Sequence, residues 1–133
     1  MKNVFETFDK LATVDATPER LFDLSTLRLM CEGDKKFMLR MINVFMNDVP
    51  PYVEIIKNGI AERDLEKVRL AAHRIKPSIQ HICNQSIGDD IAWIEKMAEE
   101  KKWSVGLEKK IQQFSKNISE TMKQLKIEKE KMS

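Results

Sequence analysis

Only four glycines and four prolines are spread over the 133 residues. An all-β design needs a turn signal about every 8–12 residues, so this scarcity argues against one. The two cysteines, Cys31 and Cys83, stand far apart and form no CxxC pair, which disfavours a disulfide framework or a thiolate metal site. Two buried or half-buried thiols in a reducing cytoplasm are the plainer expectation. No apolar run approaches the roughly 20 residues that cross a bilayer, and no apolar N-terminal signal is evident. One-sided charge is missing too. The net charge is +2, with Lys and Glu closely alternating, as in KQLKIEKEKMS. A nucleic-acid binder gathers its basic residues into a stripe, so scattered charge argues against nucleic acid as a partner.

What is present is a helical period from end to end, at 42% apolar and 33% charged residues, the balance of one globular domain. MKNVFETFDKLA places Val4, Phe8 and Leu11 on one side and predicts a short helix, with TVDATPER as a linker, so residues 1–20 form an N-terminal extension. A second short helix is expected over 25–32, with Ser25 as its N-cap and Gly33 closing it in the left-handed conformation. Asp34 is placed to cap a long helix whose apolar face collects Phe37, Met38, Met41, Val44 and Phe45. Pro50 and Pro51 then mark a kink or a fresh start before Tyr52, Val53, Ile56 and Ile60, and Gly59 is a weak spot. Asp64 caps DLEKVRLAAHRIKPSIQHIC. A further helix covers about 85–100 through Ile87, Ile91, Ile94 and Ala98. The last runs from near Ser104 through Leu107, Ile111, Phe114, Ile118, Met122 and Leu125. Apolar stripes on four long helices with short connections bury one another, so the expected fold is all-α, an antiparallel up-down four-helix bundle over residues 21–127 with a polar tail at 128–133.

On the helix containing AAHRIKPSIQ, Leu65, Val68, Ala72, Ile75, Ile79 and Ile82 share the core side at about 100° per residue. Arg69, His73, Lys76 and Gln80 follow a separate stripe, and His73 points roughly 130° from the centre of the core side. The plain reading is a solvated histidine on a polar face. A metal site is poorer, because His81 lies eight residues away and no third ligand has matching spacing. Three features favour chemistry. An imidazole titrates near pH 6.5 when unperturbed, so an exposed one is partly unprotonated at neutral pH and can be a nucleophile. Lys76, one turn on, offers positive charge where a phosphoryl group on the ring would sit. Leu70 and Pro77 set apolar surface around the histidine, as a docking surface would. Pro77 cannot donate to the carbonyl of His73 and crowds it, at about 3 kcal/mol in a helix interior. The core stripe stays in phase beyond it, which predicts a kinked helix. A new helix starting at Pro77 is the other possibility.

The string AHRIKPS, residues 72–78, resembles the signature of histidine-containing phosphotransfer (HPt) domains, Ala-His-x-aliphatic-Lys-Gly-Ser, in which a subgroup has Pro for Gly. The similarity extends over roughly residues 21–125. LFDLSTLRLMCEGDKKFMLRMINVF resembles the opening of such domains, with an aspartate and a short helix before a Gly-Asp and a long helix. ERDLEKVRLAAH resembles the approach to the histidine. The chain departs from the family at Cys83 and Asn84, where Gly-Ala is frequent. The resemblance implies that His73 is the phosphorylated residue and that Lys76 neutralises the phosphoryl oxygens. Pro77 would fill the slot that must stay slim for a partner, and Ser78 matches the small residue after it. Glu95 would be the polar residue on the next helix that engages the other ring nitrogen. Arg69, Leu70 and Gln80 would complete the docking face. The implied function is a cytoplasmic phosphorelay intermediate, taking a phosphoryl group from a receiver-domain aspartyl phosphate and passing it to another receiver. Its partners would be response-regulator receivers and a hybrid sensor histidine kinase. No cofactor is expected on this chain, the Mg²⁺ belonging to the receiver. With no Gly-rich phosphate loop or P-loop in the sequence, the chain reads as a phosphoprotein rather than a kinase or other enzyme. A face reserved for docking favours a monomer. The rival class is a helical adaptor, or a degenerate HPt domain, that docks a partner without phosphotransfer. Met1 and the linker-like residues fit both a free-standing protein and the end of a larger sensor kinase.

Overall fold

A computed structural model describes residues 19–133. The expected helix over Val4, Phe8 and Leu11 lies outside the described residues. Five helices follow: α1 (Ser25–Met30), α2 (Lys35–Ala61), α3 (Leu65–Ile82), α4 (Gln85–Glu99) and α5 (Val105–Met132). Each of the four longer ones starts at a polar side chain that accepts a backbone N–H of its first turn, satisfying a donor with no partner inside the helix. Asp34 accepts from Phe37, Asp64 from Lys67, Asn84 from Ile87 and Ser104 from Leu107. The short α1 differs from expectation. Leu24 is its N-cap residue, and Asp23 rather than Ser25 supplies the acceptor, taking both the N–H (3.0 Å) and the hydroxyl (2.6 Å) of Ser25. These hydrogen bonds hold the Asp23 carboxyl below its usual range. Gly33 closes α1 at φ +76°, its N–H donating to the Arg28 carbonyl.

All three helix prolines sit inside unbroken helices, Pro50 and Pro51 within α2 and Pro77 within α3. An interior proline costs about 3 kcal/mol. Burying one large aliphatic side chain contributes about 1.5–3 kcal/mol. Val53, Ile56 and Ile60 are buried beyond the α2 pair, and Ile79 and Ile82 beyond Pro77, so continued packing outweighs the breaker. Along α2 the buried stripe runs Met38, Ile42, Phe45, Val49, Val53, Ile56 and Ile60. Phe37 and Val44, expected inside, fall on its edge and are exposed, and Met41 is half-buried.

α2 packs on α3 and α5, α4 packs on the same two helices, and α1 rests on α3. Gly59 of α2 is a point of close approach rather than a weak spot. A Cβ there would stand 2.9 Å from Val68 Cγ2 and 3.3 Å from the Asp64 carbonyl oxygen. Further along the same pair, Arg74 lies over the Tyr52 ring. Between α3 and α4, Gln80 lies near Gly88 and His73 meets Glu95. In both pairs residue numbers rise on one helix as they fall on the other, so the neighbours are antiparallel. α5 continues to Met132, through residues expected as a polar tail. Glu and Lys are good helix formers, and half-buried Met132 packs against the core. Among the described residues no helix is long and apolar enough to cross a membrane.

Residues 19–23 form a strap that ties helices together, where the sequence predicts a linker ending at residue 20. Asp23 N–H donates to the Ile82 carbonyl and Asn84 N–H to the Leu21 carbonyl, both at 2.8 Å, around an antiparallel bridge between Phe22 and Cys83. Phe22, Leu24 and Cys83 are buried there, and burial pushes the Cys83 thiol up to about 12.

Candidate functional site

Val68, Ala71, Ala72, Ile75 and Ile79 turn one face of α3 into the core. This leaves His73 outward, its side chain 68% exposed. The ring is nevertheless held. Nδ1 lies 2.7 Å from Glu95 Oε2 on α4, and the Glu95 side chain is only 11% exposed. The other carboxylate oxygen, Oε1, lies 2.8 Å from Lys76 Nζ, an ion pair lacking the alignment of a hydrogen bond. Burial alone would raise the Glu95 carboxyl, but the nearby Lys76 and His73 outweigh it and hold it below its usual value.

An ionised carboxylate only accepts, so the proton of the Nδ1–Glu95 hydrogen bond belongs to Nδ1. In the neutral ring the lone pair is therefore on Nε2. Among the described residues Nε2 has no hydrogen-bond partner. The outcome is a fixed, accessible nitrogen nucleophile with an ammonium group one turn away.

The other expected site residues divide. Leu70 is 55% exposed and Pro77 is exposed, one turn to either side of His73. Ser78 is half-buried. Arg69 is engaged away from the imidazole: its Nε donates to both Glu66 oxygens at 3.2 and 3.1 Å, and the guanidinium holds the Glu66 carboxyl below its usual range. Gln80 lies at the α3–α4 junction and lines an open cleft of about 270 Å³ with Asp23, Thr26, Cys83, Asn84 and Gln85. It is two turns, about 10 Å, along the helix from His73. Among the described residues no group of three or more His, Cys, Asp or Glu converges as a metal site would.

Two features escaped the sequence reading. The Lys76–Glu95 contact makes the carboxylate a bridge between two candidate site side chains, His73 and Lys76. Its signal was present: Ile87, Gly88, Ile91, Ile94, Glu95 and Ala98 are the buried positions of α4, so a carboxylate stands where the period calls for an apolar residue. Arg74, adjacent to His73, has its guanidinium 5.8 Å from the Tyr52 ring centre. That contact depends on α2–α3 register and leaves no trace in the pattern of α3. No protein-family model, curated protein or solved structure matches the chain.

Proposed function

We propose that this chain is a phosphotransfer protein of the HPt type, with His73 as the phosphoacceptor and α2–α5 forming an up-down four-helix bundle. The closed cycle of neighbours supports the bundle reading: α2 against α3, α3 against α4, α4 against α5, and α5 back against α2. The observation that carries the function is the exposed imidazole whose Nδ1 is held by a buried carboxylate. A merely solvated histidine needs no such partner.

In the proposed step, a receiver domain bearing an aspartyl phosphate docks over the apolar surface of Leu70 and Pro77. The Nε2 lone pair attacks phosphorus in line. The N–P bond forms as the P–O bond to the aspartate breaks, and that electron pair leaves on the aspartate carboxylate. The Nδ1 proton stays in place, so the phosphorylated ring is cationic and faces Glu95. Lys76 neutralises the phosphoryl oxygens, exchanging its contact with Glu95 for one with the new group. Transfer onward is the reverse: a second receiver's aspartate attacks phosphorus and the N–P electron pair returns to Nε2. The chain supplies positioning and charge. Mg²⁺ would be held by the receiver.

The test is incubation with a phosphorylated receiver domain, scoring an acid-labile, base-stable label. Wild type takes up the label and His73→Gln does not, while both bind the receiver. An adaptor would bind equally well and take up no label in either form.

A further inference from the structure

The α3–α4 connection consists of Cys83 and Asn84 alone, and Asn84 serves two structures at once. Its Oδ1 caps α4 by accepting from Ile87 N–H at 3.1 Å. Its backbone N–H and its Nδ2 donate to the strap, to the Leu21 carbonyl at 2.8 Å and the Arg20 carbonyl at 3.2 Å. From the other side Gln124 of α5 grips the same strap with both ends of its amide. Oε1 accepts from Leu21 N–H at 2.8 Å and Nε2 donates to the Glu19 carbonyl at 2.9 Å. The strap thus joins α5 to the turn between the two helices that carry the candidate site.

Glu95 lies three turns from Asn84 along α4, about 16 Å, and a helix transmits a tilt at its end as a rigid lever. A tilt of about 4° at the junction displaces Glu95 by about 1 Å, enough to stretch a 2.7 Å contact beyond a good hydrogen bond. We infer that Asn84 and Gln124 are positioning residues for His73: by clamping residues 19–23 they set the α3–α4 register that keeps Nδ1–H donating to Glu95 and the Nε2 lone pair outward. The inference concerns the geometry on which the proposed phosphotransfer rests, and it is read on the unphosphorylated protein.

Two substitutions release the strap from opposite sides while sparing the core and the site. Gln124→Leu removes both amide contacts. Asn84→Asp keeps the oxygen that caps α4 and loses the donor to Arg20. Three readouts are taken: alkylation of Cys83 by iodoacetamide, resolved by mass spectrometry; the fraction of neutral His73 protonated at Nδ1, from ¹⁵N NMR of the imidazole at alkaline pH; and the slowest-exchanging amides of α2 and α5. Cys83 is buried under the strap with a thiol raised to about 12, so its alkylation reports opening. Losing one or two neutral hydrogen bonds accelerates it about tenfold. The inference expects that acceleration in both variants, a smaller Nδ1–H fraction and unchanged slow amides. Faster alkylation with an unchanged tautomer overturns it, as does unchanged alkylation. An equal loss of protection in the slow amides also overturns it, because the effect is then global. If wild type never accepts phosphate yet the tautomer responds to strap release, the proposed function fails and this inference stands.

Discussion

Thr121 lies on α5 with no exposed surface, and Glu95 lies on α4 with its side chain 11% exposed; they are the polar side chains buried among the described residues. Thr121 is satisfied within its own helix, its hydroxyl donating to the Asn117 carbonyl one turn back at 2.6 Å. Glu95 finds its partners only across a helix interface, a hydrogen bond with His73 and an ion pair with Lys76 of α3. The first arrangement needs nothing beyond a helix and asks nothing of its neighbours. The second depends on the placement of two helices and orients a side chain that reaches solvent. A buried polar group satisfied locally reads as structure, whereas one that spends its hydrogen bonds on an exposed imidazole reads as support for chemistry.

The comparison breaks most visibly at the imidazole. His73→Gln is expected to abolish phosphoryl uptake, while stability in urea falls by no more than about 1 kcal/mol, the scale of the one hydrogen bond to Glu95. A fold that collapses with this change would give His73 a structural role instead. Next in size is Glu95→Leu. Misplacing the ring slows transfer about tenfold to a hundredfold. Stability stays level or rises by about 1 kcal/mol, since an apolar side chain replaces a buried ion and Lys76 can extend to water. Rapid-quench transfer and urea titration of the same variant separate the two effects.

A smaller effect sharpens the contrast through pH. The Glu95 carboxyl is held below the usual carboxylate range when folded, by Lys76 and His73. A carboxyl with a depressed folded pKa adds stability above its unfolded pKa, and that stability is lost as pH falls through the folded value. Urea stability measured from neutral pH down through this window therefore falls less steeply in Glu95→Leu than in wild type. An identical acid limb in both would remove Glu95 from the account of stability. Least affected is Thr121→Val, which keeps volume and removes a bond made within one helix. A change within about 0.5 kcal/mol and unaltered transfer are expected. Impaired transfer comparable to that of Glu95→Leu would erase the distinction between the two sites.

Helices α2 to α5 are readable from period and caps because those signals are local: Asp34 and Asp64 stand where an N-cap must, and the stripes of α3, α4 and α5 reach the core as spaced. Continuity through Pro50 and Pro51 is not legible in the sequence, since a local penalty of about 3 kcal/mol per proline is decided by burial further along the helix. The exposure of Phe37 and Val44 follows from where α3 and α5 meet α2, a tertiary fact. The strap was invisible for a similar reason. Its hydrogen bonds join residues 19–23 to Ile82, Asn84 and Gln124, far off in sequence, through backbone groups that every residue carries. At the site, the outward direction of His73 came from the wheel, and the pairing with Glu95 followed from the family resemblance. The bridge from Glu95 to Lys76 needed the α3–α4 register.

The most direct measurement is NMR of the protein phosphorylated by a receiver, with ¹⁵N-labelled histidine, reading which ring nitrogen is coupled to ³¹P. The account predicts phosphorus on Nε2 of His73, with Nδ1 still protonated toward Glu95. Phosphorus on Nδ1, or a histidine that stays unmodified beside a phosphorylated receiver it binds, would contradict it.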